Sequence, residues 1–290
     1  MEHLHKTILV TGATGKQGGS VVKHLLANGW NVRALTRNPQ KSEARALAAQ
    51  GVEVVQGSFD DRASLDRALD GVYAAYSVQQ VWEVGPARET EQGKAFADAA
   101  KAANVKHFVY SSVCNADQNT GIPHFESKWE VEKYIKSLEL PATIVRPVFF
   151  MENFLAPDSK RRINDGSLSF SLHRQNKLQV IAVDDIGWFV AKAFAEPESY
   201  IGKALDIAGD EVSGEQIAMA FSQKLGHSVT YVELPTDQLR QVNMDRAIMF
   251  DWFNTVGYSA DINALRKVYP QLKTFAKWIE KVDVNLKQAA

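Results

Sequence analysis

Apolar positions recur along the first half of the chain with two different periods. Short apolar-rich runs of strand length occur at 8–10, 31–36, 52–55, 72–78, 107–112 and 142–146. Between them, residues 20–26, 61–69, 88–103 and 126–138 space their apolar residues as amphipathic helices do. A further helix is expected to open at Asn38-Pro39, with asparagine as its N-cap and proline at its first position, and to stop at Gly51. Strands separated by helices predict an α/β protein built on a doubly wound parallel sheet. Crossovers in such sheets are right-handed, so a ligand crevice belongs at the carboxyl ends of the strands. Residues 11–18, 36–38, 77–82 and 111–115 are therefore expected to meet in one cleft. After Phe150 the rhythm weakens: 178–182, 204–208 and 229–234 read as short strands, and 184–195, 213–225 and much of 236–282 as helical. This predicts a nucleotide-binding domain over 1–150. Residues 151–290 form a smaller α+β substrate lobe that completes the cleft and is interleaved with the first domain.

Directly behind the strand Ile8-Leu9-Val10 comes Thr11-Gly12-Ala13-Thr14-Gly15-Lys16-Gln17-Gly18-Gly19. Glycines at i, i+3 and i+6 between a strand and a helix build a phosphate cradle. The first permits the turn, the second lets backbone approach a pyrophosphate, and the third lets helix pack on strand. The helix N-terminus adds free N–H groups and the positive end of its dipole. Gly12, Thr14, Gly15, Lys16, Gln17 and Gly18 are thus dinucleotide contacts. No acid follows the second strand in Leu35-Thr36-Arg37-Asn38-Pro39, whereas a cofactor with a free 2′-hydroxyl is usually held by one there. Arg37 suits a phosphate instead, and Lys41 adds charge, so NADP(H) is favoured over NAD(H). Asp60 fits two roles, an adenine contact or the N-cap of the next helix. Ser77 and Val78 end the fourth strand and, with Gln79 at the start of the following loop, join the cofactor set.

Composition narrows the classes. The chain has 290 residues, 45% hydrophobic and 23% charged, with a net charge of −1. That is an ordinary soluble composition with no basic field for nucleic acid or anionic lipid. One cysteine, Cys114, excludes an internal disulfide and a cysteine-rich metal site. The N-terminus enters a strand without a long apolar segment, so a cytoplasmic protein with no membrane span is expected.

Taken with Phe108-Val109-Tyr110-Ser111-Ser112, His124-Phe125-Glu126-Ser127-Lys128, Val145-Arg146-Pro147-Val148-Phe149-Phe150-Met151-Glu152-Asn153-Phe154 and Val183-Asp184-Asp185-Ile186-Gly187, the glycine segment resembles the short-chain dehydrogenase/reductase superfamily. Within it, the chain is most similar to the atypical NmrA-like family. The resemblance implies a Rossmann-type domain, NADP(H) binding, and either redox sensing or reductase activity. It also implies a departure. Active members of the superfamily use Tyr-x-x-x-Lys on one helix face, but here His124 stands in the tyrosine's place, as a candidate proton donor or only a helix-start residue after Pro123, and Lys128 keeps the lysine's. Lys128 has three readings: ribose contact, acid/base, or plain surface lysine. Tyr269 and Lys273 repeat the spacing outside the nucleotide domain and read as coincidence. Ser111 and Ser112 end the fifth strand and are placed among the cofactor contacts, as are Pro147 and Phe149. Trp82 is expected on the loop bordering the nicotinamide. Phe150, Asn153 and Phe154 are expected in an apolar substrate wall, with a core role as the alternative for the wall. The reading favoured is a cofactor sensor that engages a regulatory protein partner. The alternative is an NADPH-dependent reductase of quinones, enals or other conjugated or carbonyl small molecules. A homodimer suits the fold by analogy.

Overall fold

The computed structural model describes residues 6–284; residues 1–5, on which most of the N-terminal reading rests, lie outside it. In chain order the elements are β1 (Thr7–Val10), α1 (Lys16–Ala27), β2 (Asn31–Thr36), α2 (Ser42–Ala48), β3 (Glu53–Gln56), α3 (Arg62–Leu69), β4 (Ala74–Ser77), α4 (Val81–Ala102), β5 (His107–Ser111), α5 (Pro123–Ser137) and β6 (Ala142–Pro147). There follow β7 (Phe149–Phe150), α6 (Pro157–Asn164), β8 (Ser167–Phe170), β9 (Lys177–Ile181), α7 (Val183–Ala195), α8 (Pro197–Tyr200), β10 (Ala204–Ile207), β11 (Asp210–Ser213), α9 (Gly214–Leu225), β12 (Thr230–Glu233), α10 (Thr236–Val242), α11 (Met244–Thr255), α12 (Ile262–Val268) and α13 (Phe275–Lys281).

Two units divide these elements. The first holds the described residues up to Asn119, Pro123–Arg146 and Ile186–Leu205. The chain leaves it at Pro147 and returns over Ile186–Leu205. Its sheet runs β10-β6-β5-β4-β1-β2-β3, and the registered pairs from β6 to β3 are all parallel. Ile8, Leu9 and Val10 are fully buried, because helices cover both faces of the strand. One core layer packs Leu9, Leu35, Ala75, Phe108 and Tyr110 of the sheet against Leu65, Phe96, Val131 and Ile135 of the helices.

Three local expectations change. Asn38 does not cap a helix: its Oδ1 accepts from the Gln40 amide at 2.9 Å, closing a side-chain turn that delays α2 to Ser42. Asp60 does not cap α3 either; the cap is Asp61, whose carboxylate accepts from the Ser64 amide. The stretch after β4 is not a loop. Gln80 O accepts from the amides of Glu83 and Val84, so Val81–Val84 is already helical, and Gly85 at φ +79° then breaks the ladder before Pro86.

The second unit holds Thr120–Ile122, Pro147–Asp185 and the described residues from Asp206 onward. β9 lies between antiparallel β11 and parallel β7, and β8 pairs with parallel β12. Lys273 ties this unit together, and Tyr269 is buried within it. Lys273 Nζ bonds Asp184 at 3.0 Å and Asp185 at 2.5 Å, and its amide donates to Asp185 at 2.9 Å. Burial pushes the Asp185 carboxyl up, against the pull of Lys273.

Candidate functional site

The glycine segment forms a tight turn between β1 and α1, as its spacing predicts. Gly12 turns the chain with φ +61°, and the Gly15 amide bonds Gly12 O at 2.9 Å. Gly15 is the N-cap of α1 and supplies no side-chain cap, and no acid occupies the first turn. The first turn of α1 thus receives no side-chain cap from its N-cap residue, and its N-terminus suits an incoming phosphate. The third glycine works differently from the expectation. A Cβ on Gly18 would lie 2.3 Å from Gly12 O, so Gly18 lets helix close on turn rather than on strand. This tight turn, with glycine at both ends, fits a dinucleotide pyrophosphate.

Neighbouring strand ends lock onto the cradle. Thr11 Oγ1 donates to Val78 O at 3.1 Å and accepts from the Val78 amide at 2.9 Å. The Gln17 side-chain amide donates to Ser111 Oγ at 2.5 Å, joining the cradle to the end of β5. Ser77 is buried and accepts from Gln79 Nε2 at 3.0 Å. Ser112 is also buried, its amide bonded to Val145 O at 2.8 Å. Behind these serines Arg146 is buried and bonds both oxygens of Glu132, at 3.0 and 2.6 Å, and Asp117 at 2.8 Å. That pins the segment following β5 to α5.

Arg37 lies at the end of β2 with its side chain 71% exposed, and Nη2 meets Glu83 at 2.8 Å. It lines a cavity of about 460 Å³ together with Gln56, Gly57, Ser58, Asp61, Ser64 and Arg67. Arg67 carries no local motif in the sequence; its place in α3, six residues past Asp61, brings it to the same recess. Thr14 and Lys41 are exposed, Lys41 as the N-cap of α2. The Asp60 carboxylate faces Arg88 at 2.8 Å and Gln92 at 3.1 Å.

On α5, His124 and Lys128 sit one turn apart. His124 is 7% exposed, and the Trp82 ring lies 4.9 Å from it, tilted by 50°. Lys128 is no plain surface lysine. Its side chain is 12% exposed, and Nζ donates to Glu89 Oε1 at 2.7 Å. The other Glu89 oxygen accepts from Ser127 Oγ at 2.5 Å, and Glu89 is completely buried. Sequence reasoning missed Glu89. It stands 39 positions before Lys128, and only the packing of α4 on α5 brings the two together.

Pro147, Phe149, Phe150, Asn153 and Phe154 belong to the second unit. Phe149 and Phe150 are half-buried in β7. Phe154 is buried among the rings of Phe149, Phe170, Phe221 and Phe275, at centroid distances of 5.5–6.4 Å. Among the described residues no cluster of metal ligands occurs, and no helix is long and apolar enough to cross a membrane.

Comparison with known proteins agrees with this architecture. Quinone oxidoreductase 2 of Escherichia coli is 31% identical over 78% of this chain and 77% of its own. Its structure as an NADPH complex superposes with a TM-score of 0.80 at 28% identity, covering 94% of this chain and 98% of that one. The NmrA-like family domain-containing oxidoreductase FrzB of Cladobotryum is 30% identical over 77% of this chain and 75% of its own. The nitrogen metabolite repression protein nmrA of Emericella nidulans is 27% identical over 94% of this chain and 78% of its own. Residues 4–279 match the NmrA-like family as a whole, and the chain belongs to that family.

Proposed function

We propose that this protein binds NADP(H) and acts as an NADPH-dependent reductase of conjugated carbonyl compounds such as quinones. The observation that carries the reading is the conjunction of an open phosphate cradle with a buried, carboxylate-held lysine in the same unit. The first-turn amides of α1 would hold the pyrophosphate. Arg37, with Arg67 in the same recess, would take the 2′-phosphate, which supports NADP(H) over NAD(H). Bound NADPH would supply a hydride. Lys128 would hold the nicotinamide ribose and offer its positive charge to an acceptor oxygen as negative charge grows there. Quinones tolerate the missing tyrosine, because their reduced oxygen is a weak base that draws its proton from solvent. The identity to a quinone oxidoreductase and to a family oxidoreductase points the same way.

A second reading has its own support. The proton-donor position holds His124, packed against Trp82, and a repression protein is among the relatives. On that reading NADPH binds and reshapes a surface for a protein partner without turnover. The experiment is NADPH oxidation followed at saturating cofactor against a panel of quinones, enals and aldehydes, with Lys128→Ala as control. Oxidation that requires the acceptor and falls in the variant supports the reductase. Tight NADPH binding with no oxidation against any acceptor overturns it in favour of the sensor.

A further inference from the structure

We infer that Glu89 is a positioning residue for Lys128, fixing the ammonium before any cofactor arrives; the inference rests on the reading of Lys128 as a cofactor contact. A lysine side chain is flexible, and ordering it on binding costs affinity. Here that ordering is already done. Glu89 is fully buried and spends one oxygen on Lys128 at 2.7 Å and the other on Ser127 at 2.5 Å. The ammonium has three donors, of which Glu89 takes one, leaving two to be aimed at a ligand.

The helix geometry is built for this contact. Glu89 lies one turn past the Gly85-Pro86 break, so the straight body of α4 starts just before it. One turn further on, a Cβ at Gly93 would lie 2.6 Å from Val131 Cγ2, closer than side chains approach. Gly93 and Val131 are each four residues beyond Glu89 and Ser127. The glycine thus lets α4 come near enough to α5 for a carboxylate to reach Ser127 and Lys128 together. A carboxylate in a fully buried place is costly unless paired, and apolar side chains would join the two helices as well. What they could not supply is a fixed charge beside Lys128.

The inference is tested in the full chain by NADPH affinity, read from nicotinamide fluorescence, with Glu89→Gln, Lys128→Ala and the double variant. Glutamine keeps the shape but has one acceptor oxygen for two donors. Glu89→Gln should weaken NADPH binding roughly tenfold or more when Lys128 is present, and less than about twofold in the Lys128→Ala background. Glu89→Asp keeps the charge with a shorter reach. It should lose less than glutamine does, again only when Lys128 is present, and it carries the same comparison should Glu89→Gln fold poorly. An equal loss in both backgrounds would make Glu89 a strut between helices and overturn the inference. So would unchanged affinity in Glu89→Gln alongside a loss in Lys128→Ala. If Lys128→Ala itself binds NADPH like the parent, the cofactor role of Lys128 falls first, and that of Glu89 with it.

Discussion

Replacing Gly18 by alanine sets two effects of opposite sign against each other. Alanine in a helix is ordinarily favoured over glycine by about 0.5–1 kcal/mol. At Gly18 the new methyl would lie 2.3 Å from Gly12 O, 2.5 Å from Gly12 C and 2.8 Å from Ala13 N. All three are backbone atoms, so no rotamer change relieves the contact. A Cβ at Gly12 would itself meet Val78 Cγ1 at 2.8 Å, so the turn has little room to shift towards Val78. Overpacking of this kind costs about 1–3 kcal/mol, so the clash outweighs the helix gain. Gly19, the next residue, is the internal control. Its Cβ would meet only Ala13 O, at 3.3 Å, and there the helix gain should roughly cancel the contact. Thermal unfolding of both variants, with and without NADPH, checks this. Gly18→Ala should melt lower by roughly 2–4 °C per kcal/mol lost, and Gly19→Ala near the parent. NADPH at a hundred times its dissociation constant should stabilise the parent by about 2.7 kcal/mol and Gly18→Ala far less. A Gly18→Ala protein that melts at or above the parent and still responds to NADPH would refute the geometry.

Three more expectations follow from described contacts. Burial holds the His107 imidazole down to about 4 from an ordinary 6.5. Its contribution is therefore complete above pH 6.5 and is lost as the pH falls from 6.5 towards 4, by about 3 kcal/mol in all. Denaturant titrations across that window should show the slope, and it should flatten in His107→Gln. Arg37→Ala should raise the dissociation constant for NADPH by about tenfold or more while leaving NADH within about twofold; equal losses for both cofactors would detach Arg37 from the 2′-phosphate. Arg146→Ala strands the buried Glu132 carboxylate and should cost about 3–5 kcal/mol in chemical denaturation. Adding Glu132→Gln should recover part of that loss, and additive losses would count against the pairing.

The parallel sheet was legible because its strands carry their own signal: Ile8-Leu9-Val10 and Phe108-Val109-Tyr110 are buried, and amphipathic helices separate them. The cradle was legible because glycine spacing is a local property. What failed to show was decided by neighbours in space or by close local competition. Asp60 and Asp61 are chemically alike, and only backbone geometry selects Asp61 as the cap. Gly85-Pro86 punctuates the chain so strongly that the helical turn before it reads as loop. Glu89 sits in a long polar-and-alanine helix where an acid is unremarkable. Its partner choice appears only when Gly93 lets α4 close on α5.

The break at Gly85 also divides α4 thermodynamically. Gly85 leaves helical φ/ψ, so Val81–Val84, anchored by the Glu83 and Val84 amides on Gln80 O, and the body of α4 are two helical pieces joined at a kink. Opening this turn therefore leaves the body of α4 intact, so it is a separate low-energy opening unit. Amide hydrogen exchange should show a step at Gly85, with 81–84 exchanging fast and the buried stretch around Phe96–Ala100 slow. The turn carries Trp82, 52% exposed, and Glu83, the partner of Arg37. A ligand that takes Arg37 from Glu83 shifts the exchange of those four amides and leaves the rest of the helix silent.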